Sequence, residues 1–446
     1  MLNKKIFLIF ILAFLIRLIA LNQSLWLDEA VTANVVKNFD LTQIISKFSP
    51  TDFHPPLYYL FMKLWTNFFG YSEIALRMPS VLFSLMTGYV VYLIGGIWSA
   101  IFFLFNPLIV YYSQEARMYM MTMFFLTVVL YHFLFISKNL DSRLRGNDIW
   151  FNLFIFLSLL TFYGSVFLIT AFLIYFLYKK QYKNLFICLL VVFVYLLIIS
   201  PLLYQQLINS KIALANVTNW SLVLGKANLK DLLLIPVKFS IGRISFYPKW
   251  LYWGMAGIWI GFVMLTIKTV LNKTVFIKTV LYLLIFPLVL GFLISFFVPM
   301  LQYFRFIYLI TIVSLLLSFR LSSQASSNLR GSILVGGFLF FSLVYLLLPQ
   351  FHREDWKSLV KSLPKDKTVY MIMASSDPVK YYSRNLKIKD LTLLRPMGYG
   401  GQREIIVIPY TTEIYGLDYK SSLIKAGYQL KKEVSFREVT YERWVK

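Results

Sequence analysis

The sequence is poor in what a soluble enzyme of its length displays on its surface. Charged residues fill 14% of 446 positions, against roughly a quarter in an ordinary soluble domain. That excludes a large solvated surface and makes a polytopic membrane protein the natural class. There is one cysteine, Cys188, inside an apolar run, which excludes a disulfide framework and a thiolate metal cluster. There are three histidines: His132 lies inside an apolar run, His352 starts a C-terminal tail, and His54 alone falls in the first polar loop. One histidine does not make a zinc site by itself. Acidic residues number 20 against 44 basic ones, a net charge of +24. The basic residues are not interleaved with a soluble aromatic surface, so nucleic acid is not implied. Many punctuate the gaps between apolar runs, where they read as topology signals and as contacts for membrane-lipid phosphate. No internal repeat is evident, and Arg17 is a rare charge near an apolar run. Both absences disfavour a multi-pass carrier or flippase for a lipid-linked or polar substrate, the main alternative to an enzyme.

What is present is apolar: 59% of residues are hydrophobic and 18% aromatic. Segments near 5–21, 78–95, 97–113, 118–136, 149–161, 163–178, 184–204, 250–267, 278–298, 303–319 and 332–349 give about eleven transmembrane helices. Lys4 and Lys5 precede the first run as in a signal peptide, but no small-residue cleavage site follows, so an uncleaved helix is expected. Lys4-Lys5, Lys138 with Arg143 and Arg145, Lys179-Lys180-Lys183, Lys268-Lys273-Lys278, and Arg320 with Arg330 all fall on one side. The positive-inside rule makes that side cytoplasmic, with an odd helix count placing the tail outside at the plasma membrane. Residues 22–77, 113–117, 204–249 and 299–302 then face outward, and 141–148 is a polar cytoplasmic loop. Apolar residues from Val35 to Phe48 recur at helical spacing, as in a helix lying in the interface, and Leu57–Phe69 reads as a second one introduced by Pro55-Pro56. After residue 350 the pattern changes. Strands at 369–373 and 404–408 and helices at 355–363 and 419–427 indicate a small extracytoplasmic α/β domain spanning 351–446, following a membrane domain over 1–350.

Ionisable residues this close to lipid need a reason to be there. Asp28 and Glu29 follow the first span. By itself the pair suits solvated interface charges or a helix N-terminus; the functional reading is a general base that takes a proton from an attacking hydroxyl or amine. Asp52 and His54, in Asp52-Phe53-His54-Pro55-Pro56, are candidate substrate-binding residues able to share a cation or bind a phosphate. Glu115, Arg117 and Tyr119, in Ser113-Gln114-Glu115-Ala116-Arg117-Met118-Tyr119, interrupt two apolar runs on the same outer face. A second acid there can orient an acceptor or a metal, and an arginine fork can hold a phosphate. Arg243 and Arg305 sit near the outer leaflet. Snorkelling explains a lone arginine, while a cation also suits a lipid-linked phosphate whose charge grows as it leaves.

Trp26-Leu27-Asp28-Glu29-Ala30, His54-Pro55-Pro56 and Gln114-Glu115-Ala116-Arg117-Met118-Tyr119 together resemble the integral-membrane glycosyltransferases of the dolichyl-phosphate-mannose protein mannosyltransferase superfamily. That group has the GT-C fold and includes the bacterial lipid A aminoarabinose transferases. Arg77-Met78-Pro79-Ser80 and Glu354-Asp355-Trp356-Lys357 also look like bacterial members. The resemblance implies transfer of one sugar, with inversion, from a polyprenyl-phosphate donor to a glycan, lipid or protein acceptor outside the membrane. It implies Asp28 as the base, Glu115 assisting, and Arg117, Arg243 and Arg305 as candidates for the donor phosphate. No organic cofactor is expected. Metal use is not uniform in the superfamily, so a divalent cation is left open and no metal site is assigned. Catalytic roles are exchangeable between Asp28 and Glu29 at this point.

Overall fold

A computed structural model describes residues 4–138, 145–268, 274–319, 327–364, 367–383, 385–393 and 403–446. Among the described residues, five helices are long and apolar enough to cross a membrane: Glu73–Leu104, Tyr182–Asn216, Lys249–Lys268, Val275–Ile294 and Leu329–Leu347. Four shorter apolar stretches accompany them, Tyr119–Leu134, Ile149–Thr161, Tyr163–Tyr178 and Tyr303–Ser318. The helix over 182–216 leaves Phe186, Phe193, Leu197 and Ile198 more than half exposed. An apolar face of that extent needs lipid or a partner to cover it.

The expected division near residue 96 falls on Gly96, whose φ of 79° lies where side chains with a Cβ are strained. The backbone leaves helical geometry at that residue, so Glu73–Leu104 is two helical stretches joined at a kink, with the division where it was expected. The expected span at 97–113 is instead broken at Asn106. Its side chain caps a new helix, Pro107–Ser113, by accepting from the Leu108 and Ile109 amides, with Pro107 in the first helical position. The 204–249 stretch is largely helical rather than loop: the preceding helix runs on to Asn216, and Trp220–Leu224 and Leu229–Ile241 follow. Of the expected cytoplasmic features, Arg143, Lys273, Arg320 and residues 141–144 lie outside the described residues, whereas 145–148 open the helix Arg145–Thr161.

The first polar loop is ordered by helices. Leu27–Asn38 comes first, followed by short turns through Thr51, and Leu57–Phe69 starts where Pro56 dictates. The helical spacing over 35–48 corresponds to helical backbone on both sides of a break: the first helix stops at Asn38, and Asp40 caps a second helical run through Leu41–Gln43 and Ile44–Phe48.

The tail carries a five-stranded sheet in the order β2-β1-β3-β5-β4. Its strands are β1 (Thr368–Met371), β2 (Lys387–Asp390), β3 (Glu404–Val407), β4 (Gln429–Phe436) and β5 (Val439–Val445). β1 runs parallel to β2 and β3, and β5 antiparallel to β3 and β4. Period-2 alternation sorts the residues onto two faces. Val369, Met371 and Ile406 pack on Trp356 and Leu359 of one helix, while Tyr370, Ile405 and Val407 pack on Tyr419 and Leu423 of another. The tail is docked on the first loop. Asn34 donates to the Asp377 carboxylate at 2.8 Å, the Leu25 amide donates to the Tyr382 hydroxyl at 2.8 Å, and the Tyr381 hydroxyl donates to the Tyr71 carbonyl at 2.7 Å.

Candidate functional site

The helix Leu27–Asn38 begins with Asp28 and Glu29 in its first turn, where the exposed amides favour carboxylates. Their neighbours then separate their roles. Glu29 is buried and bound at both oxygens by Arg77, Nε to Oε1 at 2.8 Å and Nη2 to Oε2 at 2.5 Å. Its Oε1 also accepts from the Ala116 amide at 2.8 Å. Arg77 spends its remaining donors on the carbonyls of Leu21, Gln23 and Ser24. Glu29, read from sequence as a possible base, is therefore the anchor that ties the first loop to the 114–118 turn. Its oxygens are occupied, so it is badly placed to take a proton.

Asp28, one residue earlier, is held differently. Its side chain is 37% exposed, and Arg117 Nη2 stands 3.6 Å from Oδ2. Arg117 also donates to the Tyr59 hydroxyl at 3.2 Å, and its Nε is buried without a hydrogen-bond partner among the described residues. Asp52 also feels the charge of this cation. One of its oxygens is 3.5 Å from His54 Nδ1, and the other is buried without a hydrogen-bond partner among the described residues. Burial works against the Asp52 charge, but His54 and Arg117 outweigh it and hold the carboxyl below the usual value of 3.8. A depressed value means that the folded state favours the ionised form. The stabilisation is present above pH 3.8 and is lost as the pH falls through the lowered folded value. Asp52→Asn is therefore expected to lose less thermal stability than wild type on acidification below that point. Parallel melting curves in acid and at neutral pH check it.

Glu115 sits across the site in the turn after Pro107–Ser113, nearly buried. Its Oε2 accepts from Arg353 Nη2 at 2.8 Å. Burial raises the Glu115 carboxyl above its ordinary value and the nearby Glu29 adds to that, while Arg353 opposes both. Tyr119 packs edge-on against Tyr112, Phe162 and Phe304 at 5.1, 6.1 and 5.7 Å, forming an aromatic wall. His54 stacks on the same Phe162 at 6.3 Å, and its carbonyl accepts from Gln206.

The three arginines assigned to a phosphate part company. Arg117 belongs to Asp28. Arg305 is committed to the Leu224 carbonyl at 3.0 Å and leans on Phe304. Arg243 donates to the Tyr111 hydroxyl at 2.5 Å and forms no ion pair among the described residues. No group of three His, Cys, Asp or Glu side chains among the described residues converges to ligate a metal.

Sequence reasoning missed Arg353, which reaches Glu115 from 238 positions away. It also missed Tyr59 and Tyr111, which were hidden among many interfacial aromatics. Arg77 was noticed only as part of a motif. A buried arginine at the start of a membrane helix is itself a signal that a carboxylate waits for it.

No family model matches the chain, and no curated protein matches it in sequence. Solved structures match it in shape. The crystal structure of ArnT from Cupriavidus metallidurans in the apo state has a TM-score of 0.61 at 12% identity, covering 99% of this chain and 98% of that one. The same protein bound to undecaprenyl phosphate gives 0.60 at 12% identity with equal coverage. An oligosaccharyltransferase from Archaeoglobus fulgidus gives 0.49 at 11% identity, covering 97% of this chain and 73% of that one. The chain has the GT-C fold, with a small sheet-containing C-terminal part.

Proposed function

We propose that the protein is an inverting glycosyltransferase that takes one sugar from a polyprenyl-phosphate donor and delivers it to an acceptor at the outer face of the membrane. The observation that carries this reading is the division of labour between adjacent acids. Glu29 is locked by Arg77, while Asp28 is partly exposed and faces Arg117. A carboxylate held by one cation and open on its other side is equipped to accept a proton. The acceptor O–H or N–H attacks C1 of the sugar from the side opposite the phosphate, and its proton passes to an Asp28 oxygen. The C1–O bond breaks with its electron pair remaining on the phosphate, whose charge rises as it leaves. Arg243, lacking a carboxylate of its own, suits that growing charge. His54, Asp52 and Tyr119 line the side on which Arg117 stands and are read as substrate-binding. ArnT, of the same fold, has been crystallised with undecaprenyl phosphate, which supports a lipid phosphate as the leaving group here. The distribution of lysine and arginine supports a cytoplasmic N-terminus and an outward-facing site and tail in the plasma membrane.

The test is donor class. Purified protein in nanodiscs with membrane acceptors is expected to release undecaprenyl phosphate from at least one undecaprenyl-phosphate sugar and to leave nucleotide sugars intact. Transfer from a nucleotide sugar, or movement of the lipid donor across the bilayer without release of the phosphate, would overturn the reading.

A further inference from the structure

We infer that Arg353, contributed by the C-terminal part, is a binding residue for the donor phosphate, so that the tail is a working wall of the donor site. This rests on the glycosyltransferase reading above. Arg353 lies just past the last membrane helix, where the His352 imidazole donates to the Leu346 carbonyl at 3.2 Å and pins the junction. From there its guanidinium reaches inward, 3.9 Å over the Trp26 ring and 4.9 Å from the centre of Tyr111. Arg243 lies over the same Tyr111 ring at 5.0 Å. One tyrosine is thus shared by two guanidinium groups, which the sequence supplies from positions more than a hundred residues apart.

Of the two cations, Arg353 has Glu115 at 2.8 Å, and Arg243 has no ion pair among the described residues. Arg353 Nε is also buried without a hydrogen-bond partner among the described residues. A buried N–H and an excess positive charge gathered on one aromatic ring call for an anion. A phosphodiester carries one negative charge and the phosphate monoester it leaves behind carries up to two, so a pair of arginines holds the departing group more firmly than the arriving one. The tail positions Arg353 from behind. Arg437, in the turn between β4 and β5, donates through Nε to the Arg353 carbonyl at 2.6 Å, and the Asp355 amide donates to the Arg437 carbonyl at 3.0 Å. Any shift of the sheet therefore moves the guanidinium relative to Glu115 and Arg243.

The experiment measures binding of undecaprenyl phosphate to nanodisc-embedded protein beside transfer kinetics, with undecaprenol as the lipid lacking a phosphate and inorganic phosphate as the anion lacking a lipid. Arg353→Ala is expected to weaken undecaprenyl phosphate binding by roughly tenfold or more and to leave any undecaprenol binding unchanged. Arg353→Lys, which keeps the charge and loses the fork, is expected to fall between, and it guards against a folding defect in the alanine variant. Arg437→Ala removes no side chain of the site itself but releases the Arg353 backbone, and it is expected to raise KM for the donor. Glu115→Gln serves as the contrast, lowering turnover while leaving lipid phosphate affinity intact or tighter. If Arg353→Ala matches Glu115→Gln, with turnover lost and affinity unchanged, Arg353 is only the counter-ion of Glu115 and the inference is overturned. The same holds if inorganic phosphate competes equally well in wild type and Arg353→Ala. If wild type itself does not bind undecaprenyl phosphate, the donor reading beneath the inference is what fails.

Discussion

Asp28→Asn lowers glycosyl transfer by about a hundredfold to ten-thousandfold, the range a positioned general base contributes, while undecaprenyl phosphate binding stays within about twofold of wild type. The substitution is isosteric, and its amide still offers an oxygen toward Arg117, so the first turn of Leu27–Asn38 has no reason to unravel. What it removes is the capacity to receive the acceptor's proton. The pattern expected is therefore a fall in kcat and in kcat/KM together, with the donor affinity spared, as for an interaction made in the transition state. Asp28→Glu keeps the carboxylate but moves it by one methylene, and an intermediate rate is expected. Equal losses of binding and rate in Asp28→Asn would instead make Asp28 a structural residue.

Arg77→Met has the largest expected effect on stability. Arg77 and Glu29 are each 1% exposed, and the pair is joined by two hydrogen bonds, with three further bonds from Arg77 to backbone carbonyls. Removing the cation alone strands a buried carboxylate and leaves the Leu21, Gln23 and Ser24 carbonyls without their donor. Breaking a buried pair in this way costs about 3–5 kcal/mol. Removing both charges together is far less damaging, because the uncompensated charge is gone. The double variant Glu29→Leu with Arg77→Met is thus expected to melt above Arg77→Met alone. A double variant no more stable than the single one would mean that the stranded Glu29 carboxylate costs nothing, and that the loss in Arg77→Met comes from its carbonyl contacts. Transfer is expected to be lost in both, since the turn that presents Asp28 depends on Glu29 holding the Ala116 amide.

The parts of the molecule that a sequence discloses are those fixed by near neighbours. Leu57–Phe69 was readable because Pro55-Pro56 announces it and its aromatic residues keep helical spacing. The strands at 368–371 and 404–407 were readable from short apolar runs bounded by polar turns. The helix Leu229–Ile241 was not, because Pro236 inside it reads as a break and its apolar residues look like loop anchors. The break at Asn106 was hidden for the opposite reason: an unbroken apolar composition masks a cap. In the site, the adjacency of Asp28 and Glu29 marked the place but not the roles. Those depend on Arg77, 48 residues away, and on Arg117, 89 residues from Asp28. Arg353 was beyond reach altogether, since an arginine at the start of a tail carries no local pattern that points to a turn between two distant membrane helices.

The most direct test of the central claim is the release of undecaprenyl phosphate from labelled undecaprenyl-phosphate sugars, with wild type and Asp28→Asn assayed side by side in nanodiscs with membrane acceptors. The account predicts that label moves to acceptor and lipid phosphate appears with wild type, that the product has inverted anomeric configuration, and that Asp28→Asn binds donor yet transfers almost nothing. Equal transfer by the two proteins, or a product with retained configuration, would contradict it.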